Sequence, residues 1–233
     1  MKSFSNLAEN EGEILGPGTD LIISLMAILL MVIAINSKIF EEKQNRLTTI
    51  NKHQMEVIKN IAAMYKKPFP DTIRSNIYGI SIDEDEEYDI IIQNGATLQR
   101  VRFGDKILFP FGKYLLNSNG ENVIRKVGSA FSKKLNFIEE IQIQGHTDTK
   151  GEDKYNLRLA SKRAIEVFDF LKNEVEIDPA VHLMSATTFG KFKPVDRLGL
   201  QNIWNLDKIN QANKTENDRR KNRRIDIVLN YRE

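Results

Sequence analysis

The sequence predicts a membrane-anchored protein with a single N-terminal transmembrane helix, a helical linker and a C-terminal α+β domain. Three observations lead to this fold class. Residues 21–35 form an almost wholly apolar run, residues 39–67 carry spaced apolar residues without glycine or proline, and strand and helix patterns alternate from residue 88 onward. The length of 233 residues suits one full domain plus a smaller part.

The composition excludes several classes of protein. The 34 Lys and Arg residues nearly balance the 32 Asp and Glu residues, and the net charge of +2 argues against a nucleic-acid partner. Because the sequence has no cysteine, it has no disulfide scaffold, thiolate metal site or cysteine nucleophile. His53, His146 and His182 are too far apart for a helical zinc motif, so we expect no metal site.

The apolar run at residues 21–35 contains one polar residue, Ser24. At 1.5 Å per residue it covers about 22 Å, less than a hydrocarbon core of about 30 Å. Extending the helix back by four residues completes the crossing, so we predict a transmembrane helix at 17–37 after a cytoplasmic tail at 1–16. Asp20 then lies inside the membrane boundary. A cleaved signal peptide is disfavoured because the preceding segment is mainly acidic and no cleavage site follows.

The charges beside the predicted span give a conflicting signal about its orientation. Lys38, Lys43 and Arg46 follow the span closely. The positive-inside rule therefore places the C-terminal side in the cytoplasm. The family resemblance described below implies the opposite orientation.

Residues 38–67 are predicted to form a helical stalk or plug. In a heptad frame, six of the eight a and d positions are apolar, which fits a short parallel coiled coil. An amphipathic helix that lies on the membrane or on a partner fits equally well, and both interpretations stay open. The a positions are Phe40, Leu47, Gln54 and Ile61, and the d positions are Lys43, Ile50, Val57 and Met64.

Residues 68–97 are predicted to be a linker with an extra strand region. Pro68 and Pro70 end the helix, and the acidic residues 83–87 are expected to form a solvated loop. Beyond them, helices alternate with strands, and a polar, partly helical stretch precedes the last strand, a pattern that suits an α+β sandwich. Strands are predicted at 88–93, 98–103, 138–144, 183–189 and 224–230, and helices at 119–135 and 153–174.

The chemistry concentrates in residues 145–164, GHTDTKGEDKYNLRLASKRA. The segment begins at a strand end and enters a helix on which Asn156, Leu159 and Arg163 share one face. Asp148 in the loop can then lie near Arg163. Such a pair is either a structural ion pair or, held apart by a ligand, a clamp for a zwitterion, with the carboxylate taking an ammonium group and the guanidinium a carboxylate.

GHTD, the spacing from Asp148 to Arg163 and the later NRRIDIVL at residues 222–229 together resemble the OmpA-like peptidoglycan-binding domain. The resemblance implies that residues 98–233 form this domain and that Asp148 and Arg163 bind the diaminopimelate of peptidoglycan. The insertion at about 193–217 is longer than the usual loop of that family. The supporting residues of the candidate site are Thr147, Tyr155, Asn156, Leu159 and Arg223.

An OmpA-like domain behind one transmembrane helix with an early acidic residue resembles the B subunits of ion-driven stators, MotB of flagella and ZorB of the Zorya anti-phage system. An ionisable residue in a span is a functional hypothesis by default, so we expect Asp20 to carry H⁺ or Na⁺, helped by Ser24. The alternative is that Asp20 only caps the helix. No other cofactor and no enzymatic activity are expected.

The resemblance further implies two copies of this chain inside a pentamer of a multi-pass MotA-like or ZorA-like partner. It implies a bacterial inner-membrane location with a cytoplasmic N-terminus and a periplasmic C-terminal domain. The acidic tail and the Pro-Gly-Thr-Asp start of the helix depart from the flagellar pattern, whereas TDTKGEDKYNLRL resembles ZorB. We therefore expect a Zorya-type motor, with a flagellar stator or a passive membrane-to-wall tether as alternatives.

Overall fold

The computed structural model describes residues 17–67, 69–82, 88–198 and 203–232. The predicted cytoplasmic tail, Pro68 and the acidic residues 83–87 lie outside the described residues. The chain divides into two compact units, of which the first ends at Arg46 and the second begins at Leu47.

The first unit contains the apolar part of helix α1 (Pro17–Met64). Among the described residues, α1 is the one helix long and apolar enough to cross a membrane, and its most apolar window has a mean hydropathy of 2.4. Its apolar side chains are exposed, for example Leu25 and Leu29. Length, composition and exposure therefore all fit the predicted membrane span.

The second unit is built on one mixed sheet of seven strands, in the order β1-β2-β3-β4-β7-β5-β6. All neighbouring strands are antiparallel except β5 and β6, which are parallel and are joined through a helix. The strands are β1 (Asp71–Arg74), β2 (Ile77–Ile80), β3 (Ile90–Asn94), β4 (Leu98–Gly104), β5 (Ile138–His146), β6 (Leu183–Gly190) and β7 (Arg224–Tyr231). The helices are α2 (Asp105–Leu108), α3 (Ser118–Ser132), α4 (Asp153–Glu174), α5 (Leu206–Gln211) and α6 (Glu216–Asn222), with 3₁₀ turns at Leu135–Phe137 and Val195–Leu198.

Alternation along the central strands separates an apolar face from a charged one. Val101 and Phe103 of β4 and Ile227 of β7 belong to the hydrophobic core, together with apolar residues of α3 and α4. The intervening side chains, Arg102 and Asp226, lie on the opposite face. The predicted α+β architecture is confirmed.

The second half of α1 packs on this domain. Ile50, Val57, Ile58 and Ile61 are buried in its core. Gln54 donates from Nε2 to the carbonyl oxygens of Gly95 and Leu98, 3.1 Å each, and its own carbonyl accepts from Gln99 at 2.9 Å.

This packing places the second part of the predicted stalk in the second unit, which begins at Leu47. Half of the proposed coiled-coil seam, Ile50, Gln54, Val57 and Ile61, is already buried against the domain. These side chains are buried within their own chain, so that face is not available to a second helix. Residues 68–97, predicted as a linker with an extra strand region, contribute strands β1 to β3 to the sheet.

Candidate functional site

Asp148 follows the end of β5, in the loop predicted to carry the chemistry. Its neighbour Thr147 is tied to β6 by a bond from its backbone N–H to the carbonyl of Gly190, 3.0 Å. Oδ1 of Asp148 accepts from the backbone N–H of Lys150 at 2.9 Å, and Oδ2 accepts from Nη1 of Arg223 at 2.6 Å. The carboxylate is buried and held at both oxygens.

Asn156 fixes the loop to the start of α4. Its Nδ2 donates to the carbonyl oxygens of Lys150 at 2.8 Å and Asp148 at 3.4 Å. Gly151 has a φ of +88°, a backbone conformation that side chains disfavour, so the turn requires glycine here. Asn156 therefore orients the loop, whereas Tyr155, 55% exposed, reaches solvent beside it.

Arg163 lies further along α4 and is buried, while Leu159 one turn earlier is half-buried. Nε of Arg163 donates to the carbonyl of Lys113 at 2.9 Å, and its Nη1 donates to Oδ2 of Asp105 at 3.2 Å. The guanidinium lies 4.8 Å from the ring centroid of Phe109. Burial lowers the pKa of Arg163, and the charge of Asp105 opposes that shift. The guanidinium is therefore ordered from three sides.

The structure does not pair Asp148 with Arg163 directly. Arg223 bonds to Asp148 and its Nε lies 3.7 Å from Oδ1 of Asp105, which in turn binds Arg163. The four groups form a chain of alternating charge from the β5 loop to α4. Arg223 also bonds through Nη2 to Oε1 of the exposed Glu216, at 3.0 Å.

Two of these groups were missed by the sequence analysis. Asp105 lies two positions after the predicted strand at 98–103, and that position near a strand end was the one available signal. Glu216 lies in the insertion, whose packing the sequence left unspecified. The side-chain hydrogen bond from Arg219, with those from Lys150 and Arg223, lowers the pKa of Glu216 to about 2.

Gly145 sets the distance between β5 and α4. A side-chain carbon at this position would lie 2.8 Å from the carbonyl carbon of Ala160, closer than real contacts allow. Helix and strand can approach this closely only because the residue is glycine. That approach places Arg163, one turn beyond Ala160, beside the loop that follows the strand.

His146 and Asp226 form a second, fully buried polar cluster on the charged face of the sheet. Asp226 lies 3.0 Å from Arg102, 3.2 Å from Arg224 and 3.5 Å from Arg100. Burial alone would raise the pKa of Asp226, but Arg224 and Arg102 hold it well below its usual range. Burial lowers the pKa of His146 to about 2, and Arg224 acts in the same direction, so the imidazole is neutral.

The two residues predicted to carry the ion lie in the first unit. Asp20 is in the first turn of α1 and Ser24 is one turn later. Both side chains are exposed in the monomer. Among the described residues, no group of three or more His, Cys, Asp or Glu side chains could hold a metal ion.

Residues 108–201 match the family model described as the OmpA family, and this segment contains both Asp148 and Arg163. The domain that contains this segment is therefore similar to the OmpA family, and for this similarity we call residues 47–232 the OmpA domain. Asp105 and Arg223, which complete the chain of charges, lie outside the matched segment of this OmpA domain.

Relatives of the OmpA domain include two peptidoglycan-associated lipoproteins. That of Buchnera aphidicola is 30% identical over 112 residues, which cover 48% of this chain and 62% of that protein. That of Agrobacterium fabrum is 30% identical over 95 residues, which cover 41% and 51%. The chain thus spans less than two thirds of the length of these relatives.

Solved structures share the fold of the OmpA domain. A MotB-like protein from Desulfovibrio vulgaris superposes with a TM-score of 0.55 at 17% identity, over 82% of this chain and 99% of that one. The periplasmic domain of Helicobacter pylori MotB gives a TM-score of 0.50 at 18% identity, over 68% and 89%. At these identities the likeness is one of fold.

Proposed function

We propose that this chain is the peptidoglycan-anchored B subunit of an ion-driven stator in the bacterial inner membrane. The observation that carries the proposal is the ordered pair of binding groups, Asp148 and Arg163, in the OmpA domain behind an apolar helix. The N-terminus lies in the cytoplasm and the OmpA domain in the periplasm, where peptidoglycan is found.

The ligand of the OmpA domain is the zwitterionic end of diaminopimelate. Its ammonium group binds the carboxylate of Asp148, in place of the guanidinium of Arg223. Its carboxylate binds Arg163, whose Nη2 is engaged by no described residue, while Lys113 and Asp105 hold Nε and Nη1. Two relatives are named for an association with peptidoglycan, which supports this assignment.

Asp20 carries the transported ion, H⁺ or Na⁺, with Ser24 on the same helix face as a second oxygen ligand. A carboxylate suits this role because it is neutral when occupied by a proton and charged when empty. Two copies of this chain sit in a pentameric MotA-like or ZorA-like multi-pass partner. The resemblance to ZorB favours a Zorya-type anti-phage motor.

The wall-binding part is tested by Arg163→Gln in the full chain, with sedimentation on diaminopimelate-type sacculi. A charge-assisted contact contributes about 1.5–3 kcal/mol, so retention should weaken at least tenfold. Arg158→Gln, an exposed arginine of the same helix, is the matched control and should bind as the parent does. If both variants were retained equally, Arg163 would have only a structural role, and the assignment of diaminopimelate to this site would be wrong.

The motor is tested by Asp20→Asn, which fixes the neutral state of the side chain. We expect normal expression, normal assembly with the multi-pass partner and normal wall binding, but no phage protection. Asp20→Glu should retain a fraction of the activity. If Asp20→Asn gave full phage protection in cells where the complex assembles, Asp20 would be only a helix cap and the chain a passive tether. Restored motility instead of phage protection would identify a flagellar stator.

A further inference from the structure

A cleft of about 1070 Å³ lies on the charged side of the sheet, among β1 to β4, α2, α6 and the start of β7. Its lining is strongly basic, and we call it the basic cleft. The buried Arg224 and the half-buried Arg102 belong to its floor, and exposed cations form its rim. The cations of the rim are Arg74, Lys106, Arg220 and Lys221, and the lining carboxylates are Asp89 and Asp105.

The two carboxylates of the lining are already engaged. Asp89 accepts a hydrogen bond from the backbone N–H of Ile82 at 2.7 Å, and Asp105 binds Arg163. Neither carboxylate forms an ion pair with a cation of the rim or floor among the described residues. Of the rim cations, Arg74, Lys106 and Lys221 therefore have no carboxylate partner among the described residues and can act on a ligand.

The floor has more guanidinium groups than carboxylates. Arg100, Arg102 and Arg224 all lie within 3.5 Å of the single carboxylate of Asp226. Two of these three positive charges are left without a carboxylate. Lys193 adds a third positive charge, because it lies close enough to lower the pKa of the neighbouring His146. Buried charge without a partner is costly, so an anion in the cleft would stabilise this arrangement.

The hydrogen-bond donors of the floor are also not all used. Nη2 of Arg102, which lines the cleft, is buried and has no hydrogen-bond partner among the described residues. Burial lowers the pKa of Arg224 to about 10, which is consistent with the excess of positive charge around it. A ligand with several acceptor oxygens would satisfy the donor that the protein leaves unpaired.

We propose that the basic cleft is a binding site for a phosphate-bearing ligand, either a soluble phosphate compound or the headgroup of an anionic lipid. A phosphate ester brings up to two negative charges and three acceptor oxygens, which matches the floor better than a single carboxylate does. The planar guanidinium groups of Arg102 and Arg224 suit its geometry. This site is separate from the Asp148–Arg163 site and does not rest on the proposed function.

The test is equilibrium dialysis of the full chain in an uncharged detergent, at constant ionic strength, with pyrophosphate and with glycerophosphoglycerol as probes. We expect saturable binding of at least one probe. Tighter binding of pyrophosphate identifies a soluble phosphate compound, and tighter binding of glycerophosphoglycerol identifies a lipid headgroup. Absence of saturable binding by both probes would overturn the proposal.

The site is located by the triple variant Arg74→Gln, Lys106→Gln and Lys221→Gln, which removes three exposed rim charges without touching the core. Binding should weaken at least tenfold. The matched control removes the same charge from three exposed lysines that are not part of the cleft, and its affinity should change less than twofold. Equal losses in both triple variants would mean non-specific attraction and would overturn the proposal. The control lysines are Lys59, Lys133 and Lys172.

A second variant tests whether the chain supplies its own anion. Residues 83–87 are five consecutive carboxylates that precede Tyr88, which lines the cleft. We replace all five by Asn or Gln and repeat the dialysis. An affinity within twofold of the parent supports an external ligand. Binding that appears only in this variant would overturn the proposal, because the cleft would then be a site for the chain's own acidic segment.

Discussion

Arg163 donates a hydrogen bond to Asp105, with 3.2 Å between Nη1 and Oδ2, although 58 positions separate them in the chain. The other oxygen of Asp105 lies 3.7 Å from Nε of Arg223. One carboxylate at the end of β4 therefore orders both guanidinium groups of the candidate site. This relationship makes Asp105 the first residue to test.

Asp105→Asn should weaken both the fold and retention on diaminopimelate-type sacculi. The amide keeps the shape but removes the charge that stabilises the guanidinium groups of the buried Arg163 and the half-buried Arg223, so unfolding should become easier by about 1–3 kcal/mol. Urea denaturation and sedimentation measure the two effects. Asp169→Asn, an exposed carboxylate on α4, is the control. Parental stability and binding of Asp105→Asn would show that Asp105 does not position Arg163.

Gly145→Ala should separate α4 from β5. The added methyl group would collide with the backbone of Ala160, and overpacking of this kind costs about 1–3 kcal/mol. Because the same contact sets the position of Arg163, wall binding should fall together with the melting temperature. Gly104→Ala meets no heavy atom within 4 Å and should leave both unchanged. A fully stable Gly145→Ala protein would contradict the close approach.

His146 should make the domain less stable below neutral pH. Its pKa is about 2 in the folded protein against 6.5 for the free side chain, so between these values the unfolded chain binds a proton that the folded domain does not. Stability from this source is complete above pH 6.5 and falls as the pH decreases. From pH 6.5 to 5 the loss amounts to about 1.5 kcal/mol.

The measurement for His146 is urea denaturation at pH 6.5 and pH 5, compared with His146→Gln. The glutamine does not titrate, so this variant should lose about 1.5 kcal/mol less over the same interval. The comparison cancels the titration of carboxylates common to both proteins. Identical pH dependence in the two proteins would mean that His146 binds the proton equally in the folded and unfolded states, which would contradict the prediction.

The orientation of the chain is tested with a reporter enzyme that works only in the cytoplasm, fused after Glu233. It should be inactive, because we place the OmpA domain in the periplasm. The basic residues Lys38, Lys43 and Arg46 argue for the opposite result. An active reporter would remove the wall-binding proposal as well, since the ligand would be on the other side of the membrane.

Strong local periodicity made much of the α+β fold predictable. The helix predicted at 153–174 matches α4, and the strands predicted at 138–144 and 224–230 lie within β5 and β7. In each case one face is apolar and the other polar, which is the pattern that secondary structure imposes on a half-buried segment. The short strands β1 and β2 carry no such pattern. Each has four residues, and β1 is wholly exposed.

The candidate site was predictable only where its residues lie close in the chain. Asp148, Asn156 and Arg163 fall within one loop and helix, so spacing alone placed them together. Their partners Asp105, just after β4, and Arg223, just before β7, are brought together by the pairing of those strands, which is a tertiary event. Sequence spacing therefore indicated the two ends of a clamp, the family resemblance added Arg223, and Asp105 was found only in the structure.

The insertion shows what local chemistry alone can determine. Thr215 and Asp218 form a capping box at the start of α6, with reciprocal hydrogen bonds between side chains and backbone. This T-x-x-D spacing is a local helix-start signal. The same spacing says nothing about where α6 packs, so the basic cleft that it helps to enclose followed only from the structure.

Strand β7 follows every other strand of the sheet in chain order, yet it lies in the middle, between β4 and β5. Until residues 224–231 are available, the sheet is two separate halves with open edges, and neither Arg223 nor Asp226 is in place. Contacts so distant in sequence form late and slowly. The two halves of the sheet are therefore joined only by its last strand, and a chain that stops before residue 224 leaves β4 and β5 without the neighbour they share.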